Sequence, residues 1–220
     1  LGDVYKRQSL KKFEYSLNCK ITDIKREGNQ IKIINNNQEL TFDFLVLATH
    51  ADQALKLLGD PTLDEIEILS KFQYTKNKAF LHSDIEMMPK NKNVWSSWNF
   101  IGQNYNEETF SVTYWMNLLQ NIDKKYPLFV TLNPEEGSID KNLIFREVMY
   151  EHPILDENAL KCQSKLENIQ GRDNIWYAGA WTKYGFHEDG INSSIDIARK
   201  LGCTSCLLYT SDAADDTPCV

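Results

Sequence analysis

The 220-residue sequence lacks the features that would assign it directly to several large classes of protein. No apolar run approaches the roughly 18 residues that a membrane-spanning helix needs, so no transmembrane segment is predicted. Acidic residues outnumber basic ones, 31 to 24, and this balance argues against a nucleic-acid partner. Neither a P-loop nor a nucleophile elbow occurs, which leaves no signature of a nucleoside triphosphatase or a serine hydrolase.

Cysteine is scarce, and its spacing gives no zinc or disulfide pattern. Of the five cysteines, only Cys203 and Cys206 have C-x-x-C spacing, and no second pair accompanies them. The adjacent His187, Glu188 and Asp189 form no metal site either, because neighbouring loop residues rarely converge on one ion. We therefore expect no bound metal, and the scattered thiols favour a reducing, cytoplasmic location.

Glycine is present but scattered, and its ten residues nowhere form the sequence Gly-x-Gly-x-x-Gly. That turn usually binds the pyrophosphate of a dinucleotide, at the junction of a strand and a helix. The ends of the chain also stand apart from the rest of the sequence. Residues 1–8 and about 204–220 resemble translated sequencing adapters, and we expect both segments to be non-native.

The first part of the chain has the pattern of β structure followed by helices. Alternating apolar residues over 13–47 predict strands, with a hairpin turn at 27–29 and a second turn at 35–37. The apolar run 45–48 predicts a short buried parallel strand. Helices are predicted over 52–58 and from a capping box at 62–65 to about residue 71.

The middle of the chain is rich in aromatic and β-branched residues, which favour strands. Its apolar segments, separated by Asn-rich and acidic loops, are followed by a helical pattern over 156–169. The predicted strands are 74–82, 93–100, 109–116, 128–132 and 143–150.

A strand, a glycine turn and a helix are predicted near the end of the chain. Residues 175–178 form the apolar strand, Gly179 begins the turn, and the helix is expected to begin at Gly190. Small Ser193 and Ser194 would leave room beside its first turn. Such a helix start presents unpaired N–H groups and a positive dipole end, which suit a phosphate or an electron-rich ring oxygen. Its buried face is predicted to contain Ile191, Ile195, Ala198 and Leu201.

The segment Asn174–Ala198, with its run Gly-Phe-His-Glu-Asp-Gly, resembles the C-terminal flavin-contacting motif of the FAD-dependent amine-oxidase superfamily. The similarity is greatest to a bacterial branch of predicted NAD/FAD-binding proteins. Further matches are Phe42–Leu55, Val94–Asn99, and Tyr114–Asn117 with Leu132–Pro134. Together they cover roughly residues 12–203 in the order of the family.

The resemblance implies a mixed α/β fold, with a partial FAD/NAD(P)-binding Rossmann-like domain interrupted by a β-rich substrate domain. Its expected FAD-binding segments are 9–59 and 170–203, and the substrate domain is expected over 60–169. Because the glycine-rich turn of the family is missing, we expect the chain to be the C-terminal part of a longer enzyme. By itself it should then bind FAD weakly or not at all.

The resemblance also implies three places of contact with FAD. The first is the backbone of one strand beside the adenine, and the second is the end of the apolar strand, where a histidine could instead cap the next helix. The third is the glycine turn, where Ala180 replaces an acidic residue of many relatives. The expected cofactor-binding residues are Ile21, Ala48, Thr49, His50, Gly179, Ala180, Asp189, Gly190 and Ile191.

Catalytic candidates come from the aromatic loop between the two glycines, which in relatives meets the flavin and the substrate. Trp181, Tyr184 and Phe186 would exclude water there, and His187 could transfer a proton. A packed surface loop is the alternative, with Glu188 and Asp189 capping the helix. The catalytic candidates are Trp181, Tyr184 and His187. Trp95, Trp98, Tyr114 and Trp115 could line an apolar substrate cavity, whereas His82 and His152 are predicted to be structural.

The activity that the resemblance implies is hydride transfer from a small or lipid-like substrate, fatty-acyl among them, to the flavin of FAD. A true amine oxidase is an alternative that the aromatic loop would serve equally well. A β-rich binding module without chemistry is a second alternative. A nicotinamide-binding domain is disfavoured by the same missing glycine-rich turn.

Overall fold

The computed structural model describes residues 14–35, 38–101 and 111–203 of the chain. The chain divides into two compact units, which we call the first unit (Leu1–Gln73 with Leu155–Val220) and the second unit (Tyr74–Ile154). The strands are β1 Ile21–Glu27, β2 Gln30–Asn35, β3 Gln38–Phe42, β4 Leu45–Leu47, β5 Gln73–His82, β6 Trp98–Ile101, β7 Ser111–Trp115, β8 Phe129–Leu132, β9 Ile144–Ile154 and β10 Ile175–Tyr177. The α-helices are α1 Ala51–Leu57, α2 Leu63–Leu69, α3 Met116–Leu119, α4 Glu157–Gln163 and α5 His187–Lys200.

The chain passes from the first unit to the second after Gln73 and returns after Ile154. Helices α2 and α4 belong to the first unit and lie against each other. An ion pair between Lys165 and Glu67 (2.6 Å) joins the segments that contain them. Local sequence did not indicate this packing, because it depends on residues about 100 positions apart.

The first unit contains an antiparallel sheet in the order β1-β2-β3 and a parallel pair, β4 with β10. The predicted hairpin is present, since Gly28 takes a positive φ (+61°) between β1 and β2. The second predicted turn lies partly outside the described residues. Strand β4 is parallel as predicted, but the expectation of full burial was wrong, because Val46 is 41% exposed. Among the described residues, β10 is the one strand paired with β4, so part of its surface stays open.

Helix boundaries agree with the sequence where a local cap defines them. The capping box at Thr62 and Glu65 is formed and α2 follows it. The helix predicted over 156–169 is shorter, because α4 ends at Gln163 and a separate 3₁₀ turn covers Leu166–Asn168. The last helix begins at His187 and not at Gly190, so the glycine lies inside its first turn.

A buried ionic cluster holds the first unit together. The Glu65 side chain is 1% exposed and contacts Arg26 (2.6 Å) and the Tyr177 hydroxyl (2.5 Å) through one oxygen. Its other oxygen accepts from the Thr62 N–H (2.7 Å). Burial, and then the hydrogen bond to Glu65, raise the pKa of Tyr177 well above its usual range, so the phenol stays protonated. One carboxylate thus joins β1, α2 and β10.

The second unit is built on a five-stranded sheet in the order β6-β7-β8-β5-β9. Each of the five predicted strands corresponds to an observed one, but the prediction over 93–100 was wrong in its first half. A 3₁₀ turn covers Lys92–Val94, and β6 begins only at Trp98. Trp95 therefore leaves the sheet plane and packs across Trp115 and Phe129, which face each other on β7 and β8.

His82 lies in the core of the second unit, in agreement with a structural role. Its ring is fully buried, Nδ1 accepts from the Asp84 N–H (3.1 Å), and Nε2 donates to the Thr131 hydroxyl (2.7 Å). If the ring were protonated on Nδ1 as well, the added proton would point at the Asp84 N–H, which also carries a hydrogen. Burial further disfavours the charged form of the ring. Burial accordingly lowers the pKa of His82 below 6.5, although Asp84 opposes the shift.

We expect the second unit to lose stability as the pH falls below about 6.5, because the unfolded state then binds a proton that the folded state refuses. Above that pH the free energy of unfolding should be flat with respect to this group. Below it, the loss should reach at most about 1.4 kcal/mol per pH unit until the folded ring also titrates. Urea titrations between pH 7.5 and 5 measure the slope. His82→Asn should remove it, and an unchanged slope in His82→Asn would contradict the assignment.

Candidate functional site

The ends of β4 and β10 lie side by side and bring together two segments that are about 130 residues apart in sequence. Leu45–Leu47 pairs in parallel with Ile175–Tyr177, and the Ala178 N–H continues the ladder to the Leu47 carbonyl (3.0 Å). The chain then leaves both strands at the same edge. Residues 48–50 and the turn after Ala178 are therefore neighbours, as expected at the carboxyl ends of parallel strands.

Trp181 joins these two segments directly. Its indole N–H donates to the Thr49 carbonyl (3.0 Å), and its ring packs edge-on against Phe72 with centroids 4.6 Å apart. The side chain is only 3% exposed. Trp181 was predicted to form part of an aromatic wall beside a cofactor, but here it is an anchor of the turn inside the core.

The turn is closed by a serine of the following helix. Gly179 has φ of +151° and its N–H donates to the Ser193 hydroxyl (3.0 Å), which in turn donates to the Gly190 carbonyl (2.7 Å). Ser193 is 8% exposed, so it does not leave room beside the helix as predicted. The Gly179 N–H already has an acceptor in the Ser193 hydroxyl. Any role of Gly179 towards a ligand therefore rests on its backbone conformation and its lack of a side chain.

Gly190 of the last helix lies beside the backbone of Ala180 in the turn. A Cβ at Gly190 would lie 3.5 Å from the Ala180 nitrogen, so the glycine leaves that N–H uncovered. Within the described part of the chain, the Ala180 N–H has no acceptor. The 14-residue helix α5 directs its N-terminus, with unpaired N–H groups and a positive dipole end, at the same region. This fits an electron-rich atom of a ligand such as a flavin ring oxygen.

The aromatic loop exposes two rings beside this backbone. Tyr184 and Phe186 are 72% and 65% exposed, and His187 is exposed at the first position of α5. The Asp189 carboxylate turns back and accepts from the N–H groups of Tyr184 (3.1 Å) and Phe186 (3.0 Å). Asp189 therefore orders the loop and caps the helix, as the alternative reading of the sequence proposed.

The buried face of α5 differs from the predicted one. Ile191 is 45% exposed, whereas Ser193 and Ile197 are 8% and 4% exposed. The buried face thus contains Ser193 where Ile191 was expected, two residues earlier. The hydrogen bond between Ser193 and Gly179 orients the helix in this way. Ile191 consequently lies at an accessible position one residue after Gly190, where a ligand could reach it.

The β4 side of the site is formed by Ala48, Thr49 and His50. Ala48 is exposed, and the Thr49 backbone carries the carbonyl that Trp181 binds. His50 is the N-cap residue of α1, but its side chain makes no capping hydrogen bond. The structure thus does not support helix capping as the reason for a histidine at this position.

Ile21, the remaining residue expected to contact the cofactor, lies on the antiparallel sheet of the first unit. It opens β1 and is 36% exposed. The contacts that attach β1 to the rest of the first unit involve the end of α1: Ile24 bridges to Leu58, and the Gly59 N–H donates to the Ile24 carbonyl (2.8 Å).

Two glutamines support the site and were missed in the sequence. Gln163 donates to the carbonyls of Trp181 (2.9 Å) and Lys183 (2.5 Å). Gln170 accepts from the Tyr177 N–H (2.9 Å) and donates to its carbonyl (2.7 Å), so its amide extends the ladder beside β10. No sequence pattern marks these residues, because each acts on backbone groups that only the fold brings close.

Comparisons with known proteins give no family by sequence: no family model and no curated protein matches the chain. Solved structures do match. They include a CLA-producing fatty acid isomerase from P. acnes, with a TM-score of 0.60 and 19% identity over 84% of this chain and 48% of that one. A proposed protoporphyrinogen oxidase from Exiguobacterium sp. 255-15 gives 0.60 and 11% identity over 91% and 50%. Reduced UDP-galactopyranose mutase gives 0.56 and 11% over 89% and 49%.

The similarity establishes the fold. The chain has a mixed α/β fold that includes part of a Rossmann-like, FAD/NAD(P)-binding type of domain, together with a β-rich unit, as the sequence predicted. It spans about half the length of the structures that it matches. At identities of 11–19%, the similarity shows the fold alone and assigns no chemistry to the site of this chain.

Residues 14–35, 38–101 and 111–203 contain neither a membrane-spanning helix nor a cluster of metal ligands. No helix in these ranges combines the length and the apolar character required to cross a membrane. No group of three or more His, Cys, Asp or Glu side chains in the same ranges is arranged to hold a metal ion.

Proposed function

We propose that this chain is the C-terminal part of an FAD-dependent oxidoreductase of amine-oxidase type. The observation that carries the proposal is the hydrogen bond from the Trp181 indole to the Thr49 carbonyl (3.0 Å). It joins the two distant segments that the family resemblance assigned to one cofactor.

FAD, when bound, would accept a hydride from the substrate, and the protein would supply orientation and a dry environment. The Ala180 N–H and the start of α5 would hold an electron-rich atom of the flavin ring. Tyr184 and Phe186, which are now exposed, would cover the ring and exclude water. His187, exposed at the first position of α5, would hold or transfer a proton at its imidazole.

The structural neighbours support redox chemistry through their names. One is called an oxidase, and another was crystallised in a reduced form. The fatty acid isomerase favours a lipid-like, fatty-acyl substrate over an amine for this chain. The exposed rings of Tyr184 and Phe186 would offer such a substrate an apolar surface.

Substitution of Gly190 by alanine should stabilise the helix and at the same time weaken the binding of FAD. Alanine stabilises a helix by about 0.5–1 kcal/mol relative to glycine, and here its Cβ would make only ordinary contact at 3.5 Å from the Ala180 nitrogen. The same methyl group would cover that N–H, so we expect FAD affinity to fall about tenfold, the effect of losing one good hydrogen bond. Equilibrium titration of FAD fluorescence measures the affinity, and thermal unfolding measures the stability.

Ser194→Ala is the matched control for this experiment. Ser194 is an exposed residue of the same helix whose hydroxyl donates only to the Gly190 carbonyl (3.2 Å). Its replacement should raise helix stability slightly and leave FAD affinity unchanged. The unmodified chain should bind FAD weakly and lose it on desalting. Equal affinity in Gly190→Ala would overturn the assignment of the Ala180 N–H to the flavin. Retention of stoichiometric flavin after desalting would contradict the expected weak binding.

A further inference from the structure

The second unit contains an aromatic cavity of about 360 Å³. Its volume falls in the range of about 300–1,000 Å³ that is typical of small-molecule pockets. It lies on the face of the sheet that carries Trp115 and Phe129. The seven residues that line it are Ile85, Lys92, Trp95, Trp115, Lys124, Pro127 and Phe129.

The aromatic walls of this cavity meet at nearly right angles. Trp95 is inclined by 85° to Trp115, with centroids 5.2 Å apart, and by 82° to Phe129, with centroids 6.1 Å apart. The Trp95 indole N–H donates to the Pro89 carbonyl (2.7 Å), which fixes its ring. A corner of this kind lets a planar ring stack on one wall while it meets the other edge-on, which is the arrangement that aromatic pairs prefer.

Two lysines give the cavity a positive charge. The Lys92 ammonium lies 5.9 Å from the centroid of Trp95, and the Lys124 ammonium lies 5.4 Å from that of Trp115. Within the described ranges, neither lysine has a carboxylate within ion-pair distance, whereas the adjacent Lys125 pairs with Asp123 (3.3 Å). The lining of the cavity contains no acidic residue. The chain therefore places two uncompensated cations beside rigid aromatic walls.

We propose that this cavity binds planar aromatic carboxylates. The aromatic corner would hold the ring, and the ammonium groups of Lys92 and Lys124 would attract the carboxylate. A flexible alkyl carboxylate would gain the same charge interaction but would lose more conformational freedom on binding. Of the four aromatic residues expected at a substrate cavity, Trp95 and Trp115 line this one. Trp98 and Tyr114 pair on the opposite face of the sheet and take no part.

The test uses the 220-residue chain without flavin, so its outcome is independent of the proposed function. Naphthalene-2-carboxylate is titrated into ¹⁵N-labelled protein, and the side-chain indole N–H signals of the five tryptophans are followed. These signals are assigned from single Trp→Phe variants. We expect saturable shifts for Trp95 and Trp115 and none for Trp176 and Trp181, which lie in the first unit. The neutral naphthalene-2-carboxamide should bind about tenfold more weakly, since it lacks the charge.

Lysine variants then test the charge directly. Lys92→Met combined with Lys124→Met keeps the apolar stems, and it should weaken binding of the carboxylate about tenfold while that of the carboxamide stays the same. Lys125→Met is the matched control and should change neither affinity. Decanoate tests the requirement for a planar body and should bind more weakly than the naphthalene acid.

Several results would overturn the proposal even if the double variant did not fold, because two comparisons use the wild-type chain alone. Equal affinity for the carboxylate and the carboxamide would remove the role of the lysines. Tighter binding of decanoate would contradict the choice of an aromatic body. Shifts confined to Trp176 and Trp181, or no saturable shift at millimolar ligand, would exclude the cavity as the site.

Discussion

Glu65→Ala is expected to lower the free energy of unfolding of the first unit by about 3–5 kcal/mol, the cost of breaking a buried ion pair by removing one partner. The carboxylate is 1% exposed, and its loss would leave Arg26 and the Tyr177 hydroxyl without their shared acceptor. Because small domains have only about 5–15 kcal/mol of stability, this is a large share. Urea unfolding, followed by the indole signals of Trp176 and Trp181, reports on this unit.

The matched control is Glu67→Ala, two residues along the same helix. Glu67 pairs with Lys165 at the same distance of 2.6 Å as Glu65 with Arg26, but both partners are half-exposed. Exposed pairs contribute little, so the stability should change by less than about 1 kcal/mol. If the two alanine variants were equally stable, the buried cluster could not be what joins β1, α2 and β10.

Gly179→Ala is expected to destabilise the first unit by about 2–4 kcal/mol, from a strained φ and a displaced buried tryptophan. The backbone at Gly179 has φ of +151°, and a Cβ there would lie 2.6 Å from the indole nitrogen of Trp181. The methyl group and the Trp181–Thr49 hydrogen bond cannot both be accommodated. Urea unfolding measures the loss, and the Trp181 indole signal should move because its acceptor changes.

Gly28→Ala provides the comparison for this variant. Gly28 also has a positive φ (+61°), but a Cβ there would meet nothing within 4 Å. Gly28→Ala should therefore lower the free energy of unfolding only by the conformational cost of the positive φ, about 1 kcal/mol. A Gly179 variant that is no less stable than the Gly28 variant, with an unmoved Trp181 signal, would show that the turn does not depend on this close approach.

Features that depend on a few neighbouring residues could be predicted from the sequence. The hairpin at Gly28 and the capping box of Thr62 and Glu65 are each encoded within four residues. The parallel strand at 45–47 and the strand–turn–helix unit after residue 174 were also recognised, because their apolar runs are short and bounded by glycine or polar residues. These local signals were enough to give the fold class.

Features that depend on distant partners could not be predicted. Glu65 was recognised as a capping residue, but its bond to Tyr177 spans 112 positions and has no local signature. Trp181 was read as an exposed aromatic wall, because its partners Phe72 and Thr49 are equally remote. The start of α5 was placed three residues too late, since Asp189 caps the helix by reaching backwards to Phe186.

The most direct test of the central claim maps the flavin on the backbone. Two-dimensional ¹H–¹⁵N spectra of the 220-residue chain are recorded with millimolar FAD and, separately, with ADP, which lacks the flavin ring. Weak binding is sufficient for this measurement. We predict that shifts specific to FAD occur at Thr49, Ala180 and Gly190, while any shifts that ADP shares occur around Ile21. FAD-specific shifts elsewhere, or none at these three amides, would contradict the assignment of this edge of the first unit to a flavin.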